Sequence, residues 1–177
     1  VRYYSQLARR RGARAGGVGA AAPRPRRRLT AAVPVVRREV ASLRDLRALA
    51  EELAAATGPG DLVVLTGPLG AGKTTFVQQL AAALGSDAAV TSPTYTLVHE
   101  YPTPQGLLVH VDLYRLDPRR ASALGLEDYL DRSRLVAVEW GEPLLAEHAD
   151  AHHVDLALAA GGEGPRVATW RAPEAPR

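Results

Sequence analysis

The chain of 177 residues contains no cysteine, no methionine, no asparagine and a single lysine. Without cysteine, disulfides, thiolate metal sites and cysteine nucleophiles are all excluded. The lack also leans towards a reducing compartment, so a cytoplasmic location is expected. No run of residues is apolar enough, for long enough, to span a bilayer, so no membrane role is expected. Methionine is missing even at position 1, which is Val1; the start is expected to be non-standard or that of a fragment. These absences, in a chain rich in Ala, Arg and Gly, fit codon bias in a GC-rich genome better than any function. The one lysine, Lys73, is therefore conspicuous.

Acid is absent from residues 1–38, which carry eleven arginines. The whole chain has a net charge of +3, so the remaining residues carry −8. The basic character belongs to the tail and the body is acidic. Residues 1–38 lack helical or strand periodicity and are expected to be a disordered extension. The first reading of it is a solvated tail or a stretch upstream of the true start. A nucleic-acid-binding arm and a mitochondrial-type presequence rank second and third. Residues 39–171 are expected to form one domain, and residues 172–177 a frayed tail.

Lys73 lies in Gly67-Pro68-Leu69-Gly70-Ala71-Gly72-Lys73-Thr74-Thr75, which satisfies G-x-x-x-x-G-K-[ST]. In such a loop the backbone N–H groups cradle phosphates, the lysine reaches the β/γ-phosphates and the Ser/Thr hydroxyl holds Mg²⁺. The required context is present. Residues 62–66 read as a buried strand, and residues 73–84 as a helix with Phe76, Val77, Leu80, Ala81 and Leu84 inward. Before them, Ser42 and Asp45 open a helix over residues 42–57, stopped by Gly58-Pro59-Gly60. After them come a Ser/Thr/Pro-rich loop at 90–96 and strands at 97–101 and 107–112 around a turn at 102–106. One or two short helices are expected over 118–131 and a buried strand at 135–138. Residues 142–149 read as a further helix, and 153–158 with 166–171 as a closing hairpin around Gly161-Gly162-Glu163-Gly164. The expectation is an α/β fold: a P-loop NTPase-like mixed sheet flanked by helices, with the phosphate site at the carboxyl ends of the strands.

Such a site needs an acid at the end of a neighbouring strand, to hold the metal shell or orient water. Asp112 ends one strand and Glu139 another. Glu139 is the favoured metal-side acid, because its strand is the more uniformly apolar, and it would share Mg²⁺ with Thr74. Asp112 is then a second acid acting through water, and Thr94 a polar group near the γ-phosphate. Trp140 reads as packing beside Glu139. His148, His152 and His153 read as surface residues, and Arg119-Arg120 as a solvated helix start. Guanine-reading GTPases use Asn-Lys-x-Asp, which a chain without asparagine cannot supply.

Five blocks in one order resemble the TsaE family. They are residues 67–76, Thr91-Ser92-Pro93-Thr94-Tyr95-Thr96, Asp112-Leu113-Tyr114-Arg115-Leu116, Gly125-Leu126-Glu127-Asp128-Tyr129 and Val138-Glu139-Trp140. The resemblance implies a weak Mg²⁺-dependent ATPase of tRNA threonylcarbamoyladenosine biosynthesis. It would act on a TsaB–TsaD heterodimer, with tRNA reached through that complex, and nucleotide turnover would reset the complex between modification cycles. It also implies Thr74 and Glu139 as Mg²⁺ ligands, Asp112 and Thr94 as hydrolytic residues, Trp140 at the site and Arg166 beside the nucleotide. Two positions depart from the family pattern: Leu46 stands where a base-contacting threonine is usual, and Pro68 where an acid is usual. The competing readings are a small-molecule kinase of the P-loop class and a nucleotide-switched RNA-binding module.

Overall fold

A computed structural model describes residues 35–117, 124–159 and 164–173. The Arg-rich stretch up to residue 34, Arg119-Arg120, the Gly161-Gly162-Glu163 turn and the last four residues lie outside the described residues, and so do the expectations placed on them. Among the described residues a single α/β domain is built on a seven-stranded mixed sheet. Its elements are β1 (Val35–Val40), α1 (Leu43–Ala56), β2 (Asp61–Thr66), α2 (Lys73–Ala83), β3 (Val98–Thr103), β4 (Gly106–Asp112), α3 (Leu126–Arg132), β5 (Leu135–Glu139), a 3-10 turn (Glu142–Leu144), β6 (His152–Ala157) and β7 (Arg166–Arg171).

The spatial order is β1-β7-β6-β2-β5-β4-β3. The four central strands β6, β2, β5 and β4 are parallel. Hairpin partners β7 and β3 run antiparallel at the flanks, and β1 pairs antiparallel with β7. Alternation along the central strands separates two cores. Val63 and Leu65 face α1 and α2, whereas Leu62 and Val64 face α3 and the 3-10 turn. Strands covered on both faces read as continuous apolar runs, which is why β2 and β5 were legible.

Helix α1 starts on a capping box. Ser42 Oγ accepts from the Asp45 N–H, and the Asp45 carboxylate accepts from the Ser42 N–H at 2.9 Å. Its buried face is Leu46, Leu49, Ala50 and Leu53. Leu46 is thus a core residue packed with α2 and the sheet.

Three expectations need correction. β1 occupies Val35–Val40, so a strand of the sheet starts inside the stretch assigned to the extension. β1 is an edge strand whose side chains are mostly exposed, and it is held by backbone pairing to β7, so it has no apolar pattern to read. Residues 142–149 form a 3-10 turn and further turns instead of a helix, with Pro143 in the first turn. The histidines are not a surface set. His152 and His153 open β6, where neighbours alternate between faces, and His148 lies among the turns before it, so the i, i+4 spacing puts no pair on one helix face. His152 is buried and its Nδ1 accepts from Trp170 Nε1–H at 3.2 Å. His153 Nε2 lies 2.8 Å from Thr66 Oγ1, which donates to Asp155 at 2.7 Å. His148 is half-buried.

Candidate functional site

The carboxyl ends of β2, β5 and β4 open into one cleft of about 480 Å³. At its floor the chain leaves β2 through Gly67, whose φ of +123° is hostile to a side chain. A Cβ there would lie 2.1 Å from the Leu156 carbonyl oxygen, so β6 presses the loop from below. Ala71 N–H donates to the Pro68 carbonyl at 3.2 Å, closing the loop before α2 begins. Pro68 offers no N–H but contributes its carbonyl. No side chain caps α2 at Gly72, so its first-turn N–H groups, from Lys73, Thr74 and Thr75, have no intrahelical partner and aim at the cleft. The helix dipole adds positive potential at the same place.

The Lys73 side chain folds along this loop. Its Nζ donates to the Gly67 carbonyl at 2.6 Å and the Pro68 carbonyl at 2.9 Å. It also stands 3.6 Å from the centre of the Trp140 ring. Burial holds its pKa below the ordinary lysine value, opposed by the negative charges of Glu139, Glu142 and Asp112. Trp140 is positioned by a backbone turn at φ +60°, a region that strains a bulky residue by about 1–3 kcal/mol. That turn sends the indole over the lysine and against Tyr114, with ring centres 4.9 Å apart. Trp140 therefore belongs to the site as well as to packing.

Asp112 and Glu139 are direct partners in the β4–β5 register and both are buried. Their hydrogen bonds separate their roles. Glu139 Oε1 accepts from Thr74 Oγ1–H at 2.7 Å and lies 2.8 Å from His110 Nε2. It is tied to the phosphate loop. Asp112 Oδ2 accepts from Thr94 Oγ1–H in a short hydrogen bond and from Ser92 Oγ–H at 3.4 Å, while Oδ1 accepts from the Tyr114 N–H at 2.9 Å. It is tied to the loop at 91–96. Ser92 and Thr94 are themselves 2.6 Å apart.

The expected site residues therefore converge. Gly70, Gly72, Lys73, Thr74, Thr75, Thr94, Asp112 and Glu139 line the cleft, with Leu69 at its rim. Gly67, Pro68 and Ala71 shape the loop beneath. Arg166 reaches the outside of the loop, its Nη2 donating to the Gly70 carbonyl at 3.4 Å.

The sequence assigns no site role to Ser92, Tyr95, Tyr114, Arg115 or His110, although the first four fall within the blocks that carry the family resemblance. The first four line the cleft, and Arg115 lies over the Tyr95 ring at 4.5 Å. For those four the blocks were the signal; for His110 it was a polar residue inside the apolar run Leu107-Leu108-Val109-His110-Val111.

The donor set fits a hard divalent cation bound together with phosphates. Thr74 and Glu139 present oxygens 2.7 Å apart beside a phosphate-type loop. Among the described residues no cluster of three or more His, Cys, Asp or Glu could hold a metal unaided. Mg²⁺ commonly relies on one or two protein ligands plus phosphate and water.

Residues 40–167 match the protein family described as "Threonylcarbamoyl adenosine biosynthesis protein TsaE". Relatives named "tRNA threonylcarbamoyladenosine biosynthesis protein TsaE" include the following three. The one from Nostoc sp. is 39% identical over 62% of this chain and 68% of its own length. That from Bacillus subtilis is 35% identical over 72% and 80%. That from Mycobacterium tuberculosis is 42% identical over 69% and 76%. Among solved structures, the one titled "Crystal structure of Bacillus subtilus YdiB" superposes with a TM-score of 0.66 at 29% identity, over 82% of this chain and 90% of that one.

Proposed function

The chain belongs to the TsaE family, whose members take part in tRNA threonylcarbamoyladenosine biosynthesis, and from that premise we propose that it binds and slowly hydrolyses ATP in the cytoplasm. The single observation that carries this reading is the meeting of Lys73, Thr74, Asp112 and Glu139 in one cleft at the strand ends.

The roles follow from the geometry. The first-turn N–H groups of α2 bind the β- and γ-phosphates, and Lys73 exchanges its two loop carbonyls for phosphate oxygens of full charge. Thr74 and Glu139 would hold Mg²⁺, which when bound neutralises charge developing on the phosphates. Asp112, held by Thr94 and Ser92, orients a water for in-line attack on the γ-phosphorus and accepts its proton. The bond to the β–γ bridging oxygen then breaks, leaving ADP and inorganic phosphate. Arg166 stabilises the outside of the loop at Gly70.

The rim of the cleft favours a protein partner. Leu69, Tyr95 and Tyr114 line it and are 72%, 84% and 51% exposed. Exposed apolar side chains gathered around a site mark an interaction surface. A TsaB–TsaD pair seated there would sense whether the γ-phosphate is present, and tRNA would be met through that pair. The test is ATP hydrolysis by the purified chain with and without added TsaB–TsaD. Slow turnover alone, altered by the pair, is expected. Rapid turnover that is indifferent to the pair would overturn the partner reading, and no turnover under either condition would overturn the ATPase reading.

A further inference from the structure

His110 is fully buried in the middle of β4, between apolar neighbours. Its Nε2 lies 2.8 Å from Glu139 Oε1, and its Nδ1 has no hydrogen-bond partner among the described residues. A buried polar group with one unmade hydrogen bond costs free energy that leucine or valine would not. The position therefore calls for a reason, and the geometry supplies one.

We propose that His110 is a positioning residue, which holds the Glu139 carboxylate in the orientation that receives Mg²⁺. This rests on the Mg²⁺–ATP reading above. A carboxylate only accepts, so Nε2 carries the proton and donates it to Oε1. Thr74 Oγ1–H meets the same oxygen. Two donors on Oε1 fix the plane of the carboxylate, and with it the direction of Oε2. The two donors differ in kind. Thr74 sits on the phosphate loop and is itself shared with the metal, whereas His110 comes from the sheet and has no other task. The register makes this possible: His110 faces Ala137 across the β4–β5 pair, and Asp112 faces Glu139. With alanine opposite, the imidazole can reach forward to the acid on the next strand. Tyr101 supports the ring from β3, its ring centre 6.4 Å away. The same Tyr101 hydroxyl donates to the Thr91 carbonyl at 3.0 Å, at the base of the loop that carries Thr94. Groups beyond the direct ligands typically alter metal affinity by about 10–100-fold.

The experiment measures ATP binding to the full chain by calorimetry, in EDTA and across a Mg²⁺ series, for wild type, His110→Leu and His110→Gln. Leucine removes the donor, and glutamine keeps an N–H near the Nε2 position. In His110→Leu the Mg²⁺ midpoint is expected to rise by about 10-fold or more, with binding in EDTA unchanged; His110→Gln should recover most of that shift. A His110→Leu midpoint equal to wild type, or a glutamine variant as impaired as leucine, would overturn the proposal. If His110→Leu does not fold, ¹⁵N spectra of the wild-type ring decide: an Nε2-protonated tautomer supports the proposal and an Nδ1-protonated one overturns it. Wild-type binding that is indifferent to Mg²⁺ would instead sink the functional reading beneath it.

Discussion

Two cations are buried at opposite ends of the same strands, and they are used differently. Lys73 stands at the carboxyl end, 4% exposed, and Arg134 just before β5 at the amino end, 5% exposed. Both donate mainly to backbone carbonyls. Arg134 donates to the carbonyls of Ala54 and Thr57 at 3.2 and 2.8 Å, and to the Gln105 side chain at 3.1 Å. Those carbonyls end α1, so the guanidinium ties the last turn of a helix to the sheet. Arg134 is enclosed, and its Nε and Nη2 meet fixed acceptors while the buried Nη1 has none among the described residues. Lys73 faces a cleft with two acids nearby. A point charge on a flexible stem can leave its carbonyls for a better anion. Similar burial thus serves architecture at one end and, on the proposed function, exchange at the other.

The largest effects should separate these two ends. Lys73→Ala should lower ATP affinity by roughly 100-fold or more, because charge-assisted hydrogen bonds to phosphate are lost. Its urea midpoint should stay close to wild type, since the Gly67 and Pro68 carbonyls can turn to water in the open cleft. Arg134→Met should do the reverse. It leaves the end of α1 unsatisfied and should cost about 2–3 kcal/mol in urea unfolding, with calorimetric ATP affinity unchanged. If Arg134→Met weakened ATP binding as strongly as Lys73→Ala, the contrast would fail.

Gly67→Ala should couple the two measurements. The added Cβ meets the Leu156 carbonyl at 2.1 Å, so the loop or β6 must move. Both stability and ATP affinity should fall, by about 1–3 kcal/mol in stability.

The smallest effect is a pH dependence in β6. Burial, then the nearby Arg171, holds His153 below the usual histidine pKa of 6.5, against the opposing pull of Asp155 and Glu142. The folded state therefore disfavours the protonated form. This contribution is fully present above 6.5 and is lost as pH falls through the window between 6.5 and the lower folded value. His153→Gln should flatten the fall in urea-unfolding stability across that window, and an unchanged slope would show that His153 is not its source.

How far the chain could be read before its fold was known depended on the kind of signal each feature leaves. The strand, glycine loop and helix around Lys73 were legible because phosphate binding demands small residues at fixed spacing. Asp112 and Glu139 were legible because each ends an apolar run. Their difference in role could be read only from the more apolar strand that Glu139 ends; what ties each acid in place lies in partners far along the chain, Thr94 for one, Thr74 and His110 for the other. β1 escaped because backbone pairing leaves no side-chain pattern. The histidines misled because spacing has meaning only once the element is known, and β6 is a strand.

The central claim is that the acid pair is hydrolytic, with Asp112 serving the attacking water. Release of phosphate from a single bound ATP, in the presence of Mg²⁺, tests this most directly in wild type and Asp112→Asn. Loss of a positioned base typically slows such a step by about 100-fold or more, so the variant should bind ATP normally and release phosphate about that much more slowly. Equal rates in the two proteins would contradict the account.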